Sequence, residues 1–247
     1  MKPRRTVLFA VLFSAFSAAA VHADSVAIGA AKDNTLYFDE TGSLSNGEGA
    51  YIFAGATSGF GPRRGLLAFD VASNIPAGAT IDSVTLTLHV SRTQFGTSAV
   101  ALHPVLADWG EGASNAGDPG GAGIAAEIGD ATWLNTFYSS SFWANQGGDF
   151  SAATSGSTLV GDVGCYTWSS TPAMVSDVQS WLDNAATNFG WLLLGDEAGF
   201  QTAKRFDSRE NPEPGFQPLL SIDYTIPEPA TLALIALGST VLLRRRG

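Results

Sequence analysis

The sequence predicts an all-β protein: an antiparallel β-sandwich with one short helix, flanked by an N-terminal signal helix and a C-terminal hydrophobic helix. Apolar and polar residues alternate along residues 84–91, which is the period of a strand with one solvated face. Clusters of Gly, Pro, Asn and Asp separate further runs of this kind. One segment alone shows helical spacing. Many strands with turns between them are typical of an antiparallel sandwich.

Residues 1–23 predict a secretory signal peptide. A charged start (Lys2, Arg4, Arg5) precedes an apolar core at 7–20, and small residues before Asp24 place the cleavage between Ala23 and Asp24. The alternative is an N-terminal transmembrane helix, but the apolar run falls short of the ~20 residues that a span needs. We therefore expect export.

The body, residues 24–225, is predicted as one β-sandwich domain. Besides residues 84–91, six runs have strand character: 51–56, 65–71, 99–106, 189–194, 202–208 and 219–224. The helical segment has apolar residues at Met174, Val178 and Trp181, with Thr171 as a candidate N-cap and Pro172 at the first helical position. We expect this helix to pack across one end of the sandwich.

The tail, residues 226–247, has three parts. Pro227, Glu228 and Pro229 precede an apolar segment at 230–243, and Arg244, Arg245 and Arg246 follow it. As a helix, the apolar segment would reach roughly 21 Å, against ~30 Å of hydrocarbon. A marginal membrane anchor and a removable sorting signal both remain open on this pattern, whereas a buried soluble helix would have no core to join.

The charge of the body excludes some partners. Six of the 13 basic residues lie in the two termini, whereas 22 of the 23 acidic residues lie in the body, which gives the body a net charge of −15. Such a surface repels nucleic acid and anionic headgroups. Cys165 is the sole cysteine, so no internal disulfide forms. It is either a nucleophile or a small half-buried residue, and the second interpretation is favoured.

No catalytic constellation is visible in the sequence. His89 and His103 lack a metal-ligand spacing such as HExxH, and no GxSxG motif is present. A triad assembled from distant residues remains open. Asp118, Glu127 and Asp130 lie in the loop-rich middle of the chain, where they are either Ca²⁺ ligands or solvated turn-forming acids.

Two groups of residues are candidates for glycan binding. Trp109, Trp133 and Trp143 would either stack on sugar rings or belong to the core. Lys204, Arg205 and Arg209 form a local basic group, which would either hold a carboxylated or sulfated polysaccharide or pair internally with acidic neighbours.

Several stretches of the body resemble the DNRLRE domain, a family related to bacterial carbohydrate-binding modules. They are 33–36, 63–70 followed by 75–81, 84–88, 109–111, 131–133, 175–181, 188–191, 206–210 and 218–224. The resemblance implies a jelly-roll-like β-sandwich and, for some relatives, polysaccharide binding. A glycine-rich insertion between Glu111 and Thr132 departs from the family pattern.

The tail resembles the PEP-CTERM sorting signal in all three parts. This resemblance implies processing by exosortase, a transient inner-membrane stage and export from a Gram-negative bacterium. Together the two resemblances predict a non-catalytic surface or matrix protein that binds or organises exopolysaccharide. A polysaccharide lyase or hydrolase and a purely structural matrix protein are the alternatives. No cofactor is expected, apart from the Ca²⁺ considered above.

Overall fold

The computed structural model describes residues 22–59, 61–94 and 96–227. Within these ranges, residues 23–226 form a compact unit that is mostly β, with one α-helix. The predicted all-β class is therefore confirmed at this level, while the jelly-roll topology stays a prediction. The predicted signal helix and the predicted C-terminal helix lie outside the described residues.

Fifteen strands are found in the described residues. They are β1 (His22–Gly29), β2 (Lys32–Tyr37), β3 (Leu44–Ser45), β4 (Tyr51–Thr57), β5 (Gly61–Ala68), β6 (Thr80–Thr93), β7 (Ser98–Pro104), β8 (Ile124–Ala125), β9 (Asn135–Phe137), β10 (Ser141–Phe142), β11 (Gly156–Val160), β12 (Gly164–Trp168), β13 (Trp191–Leu194), β14 (Lys204–Asp207) and β15 (Leu219–Ile226). The helix α1 spans Pro172–Asp183, and short 3₁₀ turns occupy Ala185–Thr187 and Pro214–Phe216.

Eleven of these strands form one curled sheet in the described part of the chain. Its order is β1-β15-β6-β14-β4-β5-β13-β7-β11, with β12 also paired to β6 and β2 to β5. The ladders of β6 with β12, β14 and β15 are antiparallel, as are those of β5 with β2, β4 and β13. Two small two-stranded sheets, β9–β10 and β3–β8, lie apart from this order.

The curl lets two halves of the sheet share one core. Apolar side chains of β6 and β15 belong to the same buried cluster as those of β7 and β13. Along β6, Val84, Leu86, Leu88 and Val90 are fully buried, and the residues between them are half-buried. The alternation read from the sequence therefore gives the inward face of this strand.

The helix α1 covers this core as its spacing predicts. The hydroxyl of Thr171 accepts a hydrogen bond from the backbone N–H of Met174 (3.0 Å), which caps the first turn. Met174, Val178 and Trp181 are buried, and the helix contacts β6. The apolar stripe is thus part of the core.

A second, smaller core lies under the long connection between β7 and β11. It contains Trp109, Trp133 and Trp143 together with Leu66 and Leu192. Leu66 and Leu192 are flanked in β5 and β13 by Leu67, Trp191 and Leu193, which belong to the main core. These two strands therefore have apolar cover on both faces.

Candidate functional site

The three tryptophans proposed for glycan stacking are buried. Trp109 is 1 % exposed, and Trp133 and Trp143 are each 6 % exposed. The indole N–H of Trp109 donates to the carbonyl of Phe189 (2.8 Å), and that of Trp143 to the carbonyl of Thr132 (2.9 Å). Burial with satisfied donors fits the core interpretation. None of the three offers an open ring face to a sugar.

The three basic residues of the predicted patch are separated by the structure. Lys204 points inward beside Phe206, and its Nζ donates to the hydroxyl of Thr93 (2.7 Å) and to the carbonyl of Gly96 (2.5 Å). Burial lowers the pKa of Lys204. Lys204 is therefore internal, and the expectation that it contacts a ligand together with Arg205 and Arg209 is not supported.

Arg205 lies on the opposite face of β14. Its guanidinium pairs with Asp118 (2.6 Å) and its Nε donates to the hydroxyl of Ser91 (3.1 Å). The guanidinium carbon also sits 3.7 Å from the centre of the Tyr51 ring, a cation–π contact that fixes its orientation. These contacts hold Arg205 in place, with 12 % of its side chain exposed.

The predicted Ca²⁺ ligands do not come together. Asp118 is the ion-pair partner of Arg205, and Glu127 is exposed. Asp130 is buried, and its Oδ2 accepts the backbone N–H of Glu127 (2.7 Å). The carboxylates that meet within the described residues are Asp33, Glu111 and Glu210, so the arrangement favours the alternative that Asp118, Glu127 and Asp130 are loop acids.

Asp33, Glu111 and Glu210 form the carboxylate cluster. One oxygen from each lies within 4.8 Å of the others. The side chain of Arg209 stands among them, with its Nε 2.9 Å from Glu111 Oε1 and 2.5 Å from Glu210 Oε1. All three acids lie within the stretches that resemble the DNRLRE domain, but that resemblance gives them no role. No local motif joins them, because only the fold brings β2, the segment after Trp109 and the turn after β14 together.

Burial makes ionisation of this cluster costly. It raises the pKa of Asp33 well above its ordinary range, and the nearby Glu210 adds to the effect. Burial likewise raises the pKa values of Glu111 and Glu210, although the Arg209 guanidinium partly offsets this. The cluster is electrostatically unsatisfied, with three carboxylates facing one guanidinium.

These shifts predict a dependence of stability on pH. A carboxyl whose pKa is raised by folding keeps its proton to a higher pH in the folded protein than in the unfolded chain. The free energy of unfolding therefore falls as the pH rises from ~4, the pKa in the unfolded chain, through the raised pKa of the folded protein. We expect Asp33→Asn to flatten the dependence of the unfolding free energy on pH above ~4, measured by urea unfolding in a buffer that contains a metal chelator. Asp39 does not contribute to this pH range, because the hydrogen bond from the Thr41 hydroxyl lowers the pKa of Asp39 to about 2. An unchanged slope between pH 4 and 7 would contradict the prediction.

A cleft of about 280 Å³ opens beside Arg205. Its thirteen lining residues include no carboxylate, histidine or cysteine; they are Phe53, Ala56, Thr57, Ser58, Arg92, Thr93, Gln94, Pro119, Gly121, Ala122, Gln201, Ala203 and Arg205. Part of the glycine-rich insertion forms one wall. That wall is anchored where Tyr37 donates to the carbonyl of Gly120 (2.9 Å) and Arg63 to that of Gly121 (3.2 Å).

The histidines lie outside this cleft. His89 Nδ1 is 2.5 Å from Asp207 Oδ2, and the ring stacks on Phe216 at 4.0 Å between centres. His103 Nδ1 lies 2.9 Å from the carbonyl of Ser151. Both histidines therefore have internal partners within the β-structure.

The tail carries the recognised signal. Residues 225–246 match the family model described as the PEP-CTERM protein-sorting motif. The motif indicates exosortase-dependent sorting to the cell surface or extracellular space, through a transient membrane stage. Of its predicted motif residues, Pro227 ends the described region, whereas Glu228, Pro229 and Arg244–Arg246 lie outside it.

The rest of the chain has no match among curated proteins and no membrane-spanning helix in its described residues. A search of curated proteins returned no match. No helix in residues 22–59, 61–94 and 96–227 has the length and apolar character needed to cross a membrane. The predicted cleavage between Ala23 and Asp24 falls within β1, and the signal peptide before it lies almost wholly outside the described residues.

Proposed function

We propose that this exosortase-sorted protein is a non-catalytic binder of acidic exopolysaccharide at the surface or in the extracellular matrix of a Gram-negative bacterium. The observation that supports the proposal best is the cleft that brings Arg92 and Arg205 together without a lining carboxylate. A chain of uronic acids or sulfated sugars has the complementary charge. The proposal places binding there, beside the glycine-rich insertion.

The overall charge makes this cleft distinctive. A body with a net charge of −15 repels a polyanion over most of its surface. Arg92 is exposed, and no ion pair holds its guanidinium in the described part of the chain. The Arg205 side chain is 12 % exposed, but its partner Asp118 is 71 % exposed, so water competes for that carboxylate and weakens the pair. A ligand carboxylate can therefore compete for Arg205.

The remaining lining residues suit a sugar. Thr57, Ser58, Gln94 and Gln201 supply hydroxyl and amide groups that exchange hydrogen bonds with sugar hydroxyls. Pro119 adds apolar surface. The cleft volume lies at the lower end of the range for small-molecule sites, which fits a short segment of a longer chain.

The same lining supports binding without catalysis. Glycoside hydrolysis ordinarily uses two carboxylates on either side of the scissile bond, and the lining has none. His89 and His103 do not reach it either. We therefore favour binding over the lyase or hydrolase alternative.

Affinity electrophoresis through gels containing alginate, chondroitin sulfate or neutral dextran tests the proposal. We expect retardation by the acidic polymers and about tenfold weaker binding for Arg92→Gln and for Arg205→Gln, because each loses a charge-assisted hydrogen bond. The matched control is Lys32→Gln, which removes one positive charge outside the cleft, where Lys32 pairs with Asp108 (2.9 Å). Absence of retardation in every gel would overturn the proposal and favour the structural matrix alternative.

A further inference from the structure

The cluster of Asp33, Glu111 and Glu210 has the composition of a hard-cation site. We propose that these three carboxylates bind one Ca²⁺ ion. Their oxygens lie within 4.8 Å of one another. Because Ca²⁺ takes oxygen ligands at 2.3–2.6 Å, two ligands on opposite sides of one ion stand about 5 Å apart. A single ion can therefore contact all three residues without moving a strand.

A buried oxygen without a partner points to a ligand independently of the clustering. The side chain of Asp33 is fully buried; its Oδ2 accepts the backbone N–H of Arg209 (2.8 Å), whereas its Oδ1 has no hydrogen-bond partner. Glu210 Oε2 is a second buried oxygen without a partner. Leaving such oxygens unsatisfied costs free energy, and coordination to a cation would satisfy them.

The charge of the cluster also calls for a divalent ion. Three carboxylates face the Arg209 guanidinium, so a local charge of about −2 remains when all of them are ionised. The Nε of Arg209 lies between Glu111 and Glu210, so an ion would compete with it for their oxygens; this side chain is 39 % exposed and has solvent to turn towards. One Ca²⁺ would bring the cluster close to neutrality.

The ligands are already positioned. Glu111 Oε1 accepts the backbone N–H of Asp33 (2.8 Å), and the Asn34 amide donates to the carbonyl of Glu111 (2.8 Å). In the turn after β14, the hydroxyl of Ser208 accepts the backbone N–H of Glu210 (3.1 Å). These bonds hold three distant parts of the sequence against each other, and a bound ion would join them.

The ligand chemistry selects Ca²⁺ among common ions. All three groups are carboxylates, which are hard oxygen ligands, and no histidine or cysteine accompanies them in the cluster. Ca²⁺ accepts irregular coordination completed by water, whereas Mg²⁺ demands a smaller and near-octahedral shell. We therefore expect weaker binding of Mg²⁺.

Calorimetric titration of the chelator-treated full-length protein with CaCl₂ alone tests the site. We expect one Ca²⁺ per chain and a rise in thermal midpoint that saturates with the same affinity. Titration up to ~10 mM covers the weak affinities of extracellular sites. Glu111→Gln and Glu210→Gln should each weaken binding at least about tenfold, since affinity follows the number of charged ligands. Two such variants keep the test available if one fails to fold.

Two further variants separate ion binding from a structural role. Glu127→Gln, which removes an exposed carboxylate outside the cluster, should bind like the wild type. Arg209→Gln should bind Ca²⁺ more tightly, because it removes the competing cation. The proposal is overturned if the wild type shows neither heat nor a thermal shift, if Glu210→Gln keeps wild-type affinity, or if Arg209→Gln weakens binding.

Discussion

Trp168→Ala is expected to lower the free energy of unfolding by about 4 kcal/mol or more, since removal of a buried aromatic side chain usually costs about 3–5 kcal/mol. Trp168 is fully buried in the main core, with its ring centre 6.2 Å from that of Phe206. Its indole N–H donates to the carbonyl of Val100 (2.8 Å), across the space between β12 and β7. The substitution would open a cavity and remove that hydrogen bond. Urea unfolding at 25 °C measures the loss.

Two variants calibrate this result. Phe142→Ala removes an aromatic ring that is 73 % exposed, and we expect a change within ~0.5 kcal/mol. Trp168→Phe keeps most of the ring and loses the hydrogen bond, so it should fall between the two. If Trp168→Ala cost less than about 1 kcal/mol, the two halves of the sheet would not share the core described here.

Gly190→Ala is expected to cost about 3 kcal/mol or more, from two separate sources. Gly190 has a φ of +75°, which strains any residue with a Cβ. A Cβ at this position would also lie 2.1 Å from the carbonyl oxygen of Leu67 and 2.7 Å from Ala68 Cα. Both are backbone atoms of β5, which pairs with β13 immediately after the glycine. Relief of the clash would therefore disturb a central ladder.

Gly78→Ala separates strain from collision. Gly78 has a φ of +83°, and nothing lies within 4 Å of the position of its missing Cβ. We expect a loss of only ~1–2 kcal/mol there, from the backbone conformation alone. Equal losses for Gly78→Ala and Gly190→Ala in thermal or urea unfolding would show that the contact with β5 is not rigid.

The strands with one covered face were the predictable part of the fold. All six predicted runs outside 84–91 overlap strands, and β6 extends the alternation to residues 80–93. β2 shows no such alternation, because every residue from Asp33 to Tyr37 is buried. Period-two patterning depends on a wet face, and a strand covered on both faces lacks it. The five-residue strands β11 and β12 lack strict alternation, because Leu159 and Val160 are adjacent in β11 and Cys165 and Tyr166 are adjacent in β12.

The sites were less predictable than the strands. The alternation in β14 places Lys204 on the same face as Phe206, which is a core residue, so the burial of Lys204 had a signal in the sequence. The meeting of Asp33, Glu111 and Glu210 had none, since roughly 80 to 100 residues separate each from the next. The role of the glycine-rich insertion as a wall of the cleft likewise depends on its anchors, Tyr37 and Arg63, which lie far away in the sequence.

Most basic side chains of the body are paired or buried, which affects how copies of the protein interact with one another. Lys32, Arg64, Arg205 and Arg209 are engaged by carboxylates, and Arg63 and Lys204 are buried. The outward surface of the body is thus left almost uniformly anionic. Neighbouring copies packed at high density would repel one another over the Debye length, which is about 8 Å at physiological ionic strength and ~30 Å at 0.01 M. A layer of this protein would therefore swell in fresh water and contract in brine.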